Sequence, residues 1–276
     1  MTPVPPAAHA VTGATRLFAV VGDPVEQVQA PSLLNPLFDE LGLDAVLVPV
    51  HARQADFPAV LDGLRRIENL DGILITIPHK AAACALADER SPAAAISGSA
   101  NALRRGPSGR WQADNFDGAG FVRGLTAAGR PVAGTRVSLL GAGGAGSAIA
   151  AALLDAGSTR LSIYDPDREK RDGLLARLDE HWPDRAVGVA TPLLHDVDLA
   201  VNATPLGLRP NDPLPFPPDG LAAGCVVADI IMKPPDTRLL RAAAALGLPT
   251  HPGIHMLAHQ IGFYRSFFDL VPAAPA

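Results

Sequence analysis

A chain of 276 residues, 48% hydrophobic and 18% charged, has the apolar mass for a sizeable core and the length for two domains. A net charge of -5 with no Lys/Arg-rich run excludes a general nucleic-acid surface. The longest apolar stretch, residues 139–154, is too short and too interrupted by glycine to span a membrane, so small molecules are the expected partners.

Residues 1–15, rich in Pro, Ala and Thr and without the basic start of a secretory signal, read as a disordered lead-in. From Arg16 the pattern alternates: a strand at 17–21, a helix from Ser32 to Leu41, a strand at 45–50, an amphipathic helix from Gln54 to Arg66, and a strand at 71–77. This order predicts a mainly parallel sheet with helices on both faces. Short helical pieces follow Lys80, and the turn 105–109 predicts a hairpin between segments near Ala102 and Trp111. A helix to about Ala128 leads into a second run of strands: 137–140, 161–164, one near Val187, 198–201 and 225–230. Helices are predicted over 168–181 and 237–246, a proline-rich loop over 205–218, and a helical tail over 253–270. Cys84 and Cys225 stand far apart, outside any C-x-x-C pattern, and read as small buried hydrophobes of a reducing compartment, with the cytoplasm expected.

The stretch Gly141-Ala142-Gly143-Gly144-Ala145-Gly146 follows one strand and opens a helix at G-x-G-x-x-G spacing. In that setting the first glycine permits the turn, the second admits a pyrophosphate near the backbone, and the third lets helix and strand pack closely; the helix start supplies free N–H groups. Asp165, at the end of the next strand about twenty residues on, stands where a carboxylate accepts the ribose hydroxyls. In the first half, Lys80 lies just past a strand's carboxyl end, where open α/β sheets bind ligands, with the Thr76 hydroxyl nearby. A lysine ammonium there binds an oxyanion or passes a proton, and Asp117 either caps the next helix or orients that ammonium. Spacing alone leaves both choices open.

Residues 21–25 (VGDPV), 76–80 (TIPHK), 114–118 (DNFDG), 141–146, 202–207 (NATPLG), 229–234 (DIIMKP) and 253–260 (GIHMLAHQ), in this order and spacing, resemble the shikimate dehydrogenase family. The resemblance implies reversible oxidation of a ring hydroxyl on a cyclic hydroxy acid, shikimate, quinate or a close analogue, with hydride passing to a nicotinamide. It implies that Lys80 and Asp117 are the catalytic pair, that Thr76, Asn101 and Gln260 contact substrate hydroxyls, and that Asn202, Ala203, Thr204 and Gly253 join the glycine loop at the cofactor. It also implies two α/β domains. Residues 16–118 with 253–276 form the substrate domain, residues 119–252 a Rossmann dinucleotide-binding domain, and the C-terminal helix returns to the first.

Departures from the family fall on the substrate side. Two serines usual after the first strand are Val28 and Ala30, a usual tyrosine is Met232, and the threonine before the catalytic aspartate is Phe116. A carboxylate oxygen without such donors in a buried site costs about 1–3 kcal/mol, and Gln27 or Gln29 are the candidates to compensate. For the cofactor, family members using NADP usually carry Asn-Arg-Thr after the second nucleotide-domain strand. Here the segment is Tyr164-Asp165-Pro166-Asp167, so NAD is favoured, with Arg168 and Arg171 leaving NADP possible. His251, His255 and His259 recur every fourth residue without a carboxylate at a fitting offset, and read as structural, with no metal expected. A monomer or homodimer is expected. The rival reading is a nucleotide-binding sensor that kept the fold and lost turnover.

Overall fold

A computed structural model describes residues 11–272. The first half runs β1 (Arg16–Gly22), α1 (Ala30–Glu40), β2 (Ala45–His51), α2 (Phe57–Leu64), β3 (Leu70–Ile75), α3 (Lys80–Leu86), β4 (Glu89–Arg90), α4 (Pro92–Ser97), β5 (Ala102–Arg105) and β6 (Trp111–Asp114). After α5 (Asp117–Ala127) come β7 (Arg136–Leu140), α6 (Gly144–Asp155), β8 (Arg160–Tyr164), α7 (Arg168–Asp179), β9 (Ala186–Gly188) and β10 (Leu199–Asn202). The chain continues with a 3-10 turn (Pro218–Gly220), β11 (Val226–Asp229), α8 (Arg238–Ala245), β12 (Thr250–His251), α9 (Ile254–Ala258) and α10 (Ile261–Phe267).

The described strands form two six-stranded sheets of an α/β protein. One, in the order β12-β11-β10-β7-β8-β9, is parallel throughout. The other, β2-β1-β3-β5-β6-β4, is more mixed than the alternating pattern implies: β1 runs parallel to β2 and β3, and β4 to β6, but β5 is antiparallel to both β3 and β6. The tight turn at residues 106–109 accounts for the β5–β6 pair, because a connection that short can join only antiparallel strands.

Several boundaries move for local reasons. The strand expected through Ile77 stops at Ile75: Pro78 has no N–H for a ladder, and the His79 amide instead closes a turn on the Thr76 carbonyl. The helices expected from Ser32 and Gln54 begin at Ala30 and Phe57, each with a proline in its first turn, where a missing N–H leaves nothing unpaired. The tail is two helices rather than one, interrupted at His259–Gln260. The dipeptide strands β4 and β12 are too short to carry any periodic signal. Residues 1–10 of the expected lead-in lie outside the described residues. The expectation fails for its last part, where Thr12 and Thr15 close a turn and Thr15 is buried.

Two close approaches set the frame. A Cβ on Gly118 of α5 would lie 2.1 Å from the Ala148 carbonyl oxygen of α6, so only glycine lets these helices meet as they do. After α9 the chain returns to the first sheet, where the Phe268 ring packs edge-on against Phe18 of β1 with centroids 5.4 Å apart. No described helix is long and apolar enough to cross a membrane.

Candidate active site

The turn after β3 presents Lys80. His79 anchors it: the ring is buried, stacks on Phe57 at 4.2 Å and holds the Ala52 carbonyl through Nε2 at 2.8 Å. With its predecessor fixed, Lys80 opens α3 pointing inward and is only 9% exposed. Its Nζ donates to Asp117 Oδ2. Asp117 begins α5 at 3% exposure and is not its N-cap, so the capping role left open by the sequence is not the one it plays.

The other carboxylate oxygen is also held. Asp117 Oδ1 accepts Asn101 Nδ2 at 3.0 Å and Gln260 Nε2 at 3.1 Å. Asn101 is itself oriented, because its Oδ1 accepts the Phe116 amide at 3.0 Å. Residues 80, 101, 117 and 260, from four separate parts of the chain, thus form one buried cluster. An ammonium and a carboxylate with so little water require this full set of partners, since an unpaired buried charge costs several kcal/mol. Thr76 stands at the mouth of the same turn, half-buried.

Tyr264 belongs to this cluster and was missed by sequence reasoning. Its hydroxyl donates to Gln260 Oε1 and accepts from Asn101 Nδ2 at 3.2 Å. Burial, then the Asp117 charge, pushes its phenol well above the ordinary tyrosine range. A signal existed: Tyr264 follows Gln260 by four residues, the spacing of one helix face.

The glycine loop abuts the cluster. A Cβ on Gly144 would lie 2.8 Å from Lys80 Cβ, and Ser99 Oγ, which accepts from Asn115 Nδ2 at 2.7 Å, donates to the Gly144 carbonyl at 2.8 Å. Within the loop Gly141 has φ of 105°, a conformation that favours glycine, and a Cβ on Gly146 would lie 2.0 Å from the Gly141 carbonyl oxygen. Gly143 is exposed, with nothing within 4 Å of where its Cβ would point, and α6 starts behind it without a side-chain cap. An open backbone surface at an uncapped helix start fits a dinucleotide pyrophosphate. Beside it Ala145 is half-buried, while Ala142 is buried. Asp165 stands beside it: Oδ2 accepts the Ala142 amide at 2.7 Å and Oδ1 the Asp167 amide at 2.9 Å.

Other expected residues are placed less directly. The Asn202 side chain is buried and turned inward, donating to Leu206 O and Asp229 Oδ1 while its Oδ1 accepts from the Thr204 amide and hydroxyl. It shapes the Asn202-Ala203-Thr204 turn, and the Ala203 carbonyl crowds Gly141. Gly253 packs against the end of β11, where a Cβ would lie 2.4 Å from the Ile230 carbonyl. Arg171 donates to Val189 O at 3.1 Å and pairs with Asp172, while Arg168 is exposed. Among the described residues no three His, Cys, Asp or Glu side chains are grouped so as to hold a metal; His251 is buried and its ring stacks on His255 at 4.9 Å.

On the substrate side, Val28 and Met232 are half-buried and pack with buried Ala30, Phe116 and Tyr264 in one apolar cluster. The amides expected to compensate are engaged within their own loop: Gln27 Nε2 donates to Pro24 O and Gln29 Nε2 to Gln27 O, each at 2.9 Å.

Residues 20–103 match the family model for the shikimate dehydrogenase substrate binding domain. A shikimate dehydrogenase (NADP(+)) of Rubrobacter xylanophilus is 37% identical over 258 residues, covering 91% of this chain and 89% of that protein. The crystal structure of shikimate 5-dehydrogenase from Thermus thermophilus, in complex with NADP(H) and shikimate, matches at 32% identity and a TM-score of 0.80, covering 94% of this chain and 95% of that one. The ligand-free 5-ketofructose reductase of a Gluconobacter strain matches at 28% identity and a TM-score of 0.80, covering 93% and 94%. Likeness of this extent, over nine-tenths of the chain, shows that the chain belongs to the shikimate dehydrogenase family.

Proposed function

We propose that the protein is an NAD(P)-dependent dehydrogenase that reversibly oxidises a ring hydroxyl of shikimate, quinate or a close analogue. The observation that carries this reading is the buried Lys80–Asp117 pair lying directly against the glycine loop. A bound nicotinamide supplies the hydride acceptor. The chain's own residues do the rest: Lys80 Nζ, oriented by Asp117, handles the hydroxyl proton, while Asn101, Gln260 and Thr76 hold neighbouring hydroxyls. The division of labour follows the sheets, with residues 16–118 and the tail from 253 taking the substrate and residues 119–252 the dinucleotide. The test is cofactor reduction with shikimate and with quinate by wild type and Lys80→Ala; equal turnover in the two proteins removes Lys80 from its role.

NAD is the proposed preference. Asp165 at the ribose position disfavours a 2′-phosphate, and Arg171 is already paired. The family relatives include enzymes named for NADP(+), so the measurement that decides is kcat/KM with each cofactor.

A specific observation favours a second reading of the substrate. The loop bearing Val28 and Ala30 has its glutamine amides engaged and packs with Phe116 and Met232, a poor setting for a carboxylate. An uncharged polyhydroxy ketone meets that wall at lower cost, and one similar structure is named for reducing 5-ketofructose. The kcat/KM for quinate oxidation with the oxidised cofactor, set against that for reduction of an uncharged keto-sugar with the reduced cofactor, separates the two readings.

A further inference from the structure

We propose that Tyr264 is a positioning residue for the dehydrogenase reaction, fixing the Gln260 amide so that its Nε2 faces Asp117 Oδ1 and leaves Asp117 Oδ2 to Lys80. This rests on the reading of Lys80 and Asp117 as the proton-handling pair.

The bonds run in one direction. The Tyr264 hydroxyl has a single hydrogen, and it goes to Gln260 Oε1. With Oε1 so engaged, the NH2 end of the same amide faces Asp117 Oδ1 at 3.1 Å. Asn101 Nδ2 braces the arrangement at Asp117 Oδ1, Tyr264 Oη and, at 3.3 Å, Gln260 Oε1. Asp117 is therefore held at one oxygen by two amides, with the other aimed at Lys80.

Without the phenol, Gln260 Oε1 retains only the long contact from Asn101, which already serves Asp117. In a site with Asn101 and Gln260 each 2% exposed, no bulk water replaces the missing donor. The glutamine then rotates about its flexible stem, and the carboxylate loses the contact that fixes its plane. The ring itself is held independently, edge-on to Phe116 at 5.5 Å and stacked on Phe268 at 6.1 Å, so deleting the hydroxyl leaves the packing in place. Tyr264 thus touches neither Lys80 nor Asp117 in any bond described, and acts on them through Gln260.

The experiment is a double-mutant cycle of Tyr264→Phe and Gln260→Leu on the full chain, reading kcat and KM for whichever hydroxy substrate wild type turns over, with Tm beside them. Tyr264→Phe is expected to lower kcat about tenfold, with the KM for NAD and the Tm little changed. In the Gln260→Leu background the same substitution is expected to have almost no further effect on kcat, because the group it acts through is gone. Multiplying losses in the double variant, an unchanged kcat in Tyr264→Phe, or a kcat loss matched by a falling Tm overturns the positioning role while leaving the dehydrogenase reading intact. A wild-type chain that reduces neither cofactor with any hydroxy acid or sugar overturns both.

Discussion

Beside the parallel sheet the proposed ligand surface belongs to one turn, residues 141–146, and is mostly backbone; beside the mixed sheet it is a cluster of side chains from positions 80, 101, 117 and 260, braced by Tyr264 and gathered from most of the chain's length. The difference teaches where tolerance lies. A backbone site depends on a few glycines that keep two segments in contact. A convergent side-chain site depends on every member, because each satisfies another inside a space almost without water.

Substitutions that probe this contrast differ in scale. Lys80→Ala should have the largest effect, lowering kcat/KM about 10²- to 10⁴-fold and stability by about 3–5 kcal/mol, since it leaves the Asp117 carboxylate buried without its cation. Steady-state kinetics together with urea unfolding measure both; an unaltered midpoint would mean that the carboxylate finds another partner. In the backbone site Gly146→Ala should cost about 1–3 kcal/mol, because the new Cβ meets the Gly141 carbonyl at 2.0 Å. It should weaken NADH binding measured by fluorescence titration.

A buried group at the edge of the parallel sheet is tested by pH. Burial, with repulsion from His255, Arg130 and His259, lowers His251 from 6.5 to about 4, and its Nε2 has no partner. The folded value lies below the unfolded one, so the unfolded chain takes up the proton first. Stability is full above about 6.5 and lost as pH falls toward 4. From pH 7 to pH 5 the loss should reach about 2 kcal/mol, and His251→Gln should flatten that slope in denaturant titrations. The smallest effect is expected at Asp165→Asn, which keeps an acceptor for the Ala142 amide and removes the charge. The ratio of kcat/KM for NADP over NAD should rise about tenfold; a constant ratio would show that the carboxylate does not select the ribose.

The same contrast explains what the sequence made legible. The glycine loop, its flanking strand and helix, and Asp165 were readable because each requirement is local: a turn, a close approach, a strand end. The Lys80 and Asp117 candidates were readable as residue types at informative places. Their meeting was not, because it depends on how the turn after β3 and the start of α5 face one another, and the Gln260 contact on a tail that breaks at His259–Gln260 before crossing back. Tyr264 stayed hidden for that reason: an aromatic residue in a helical tail reads as packing until the partner of its hydroxyl is known. The Gln27 and Gln29 amides each already give one N–H to a neighbouring carbonyl, which nothing in their spacing shows.

The return of the last helix also gives the site a history. During synthesis every strand of both sheets leaves the ribosome before Gln260 and Tyr264 do. A nascent or prematurely ended chain thus has the sequence for its glycine loop and for Lys80 and Asp117, but not for the two side chains that complete the cluster. Competence for the proposed reaction is acquired only once residues 260–264 have been made, after every described strand of both sheets.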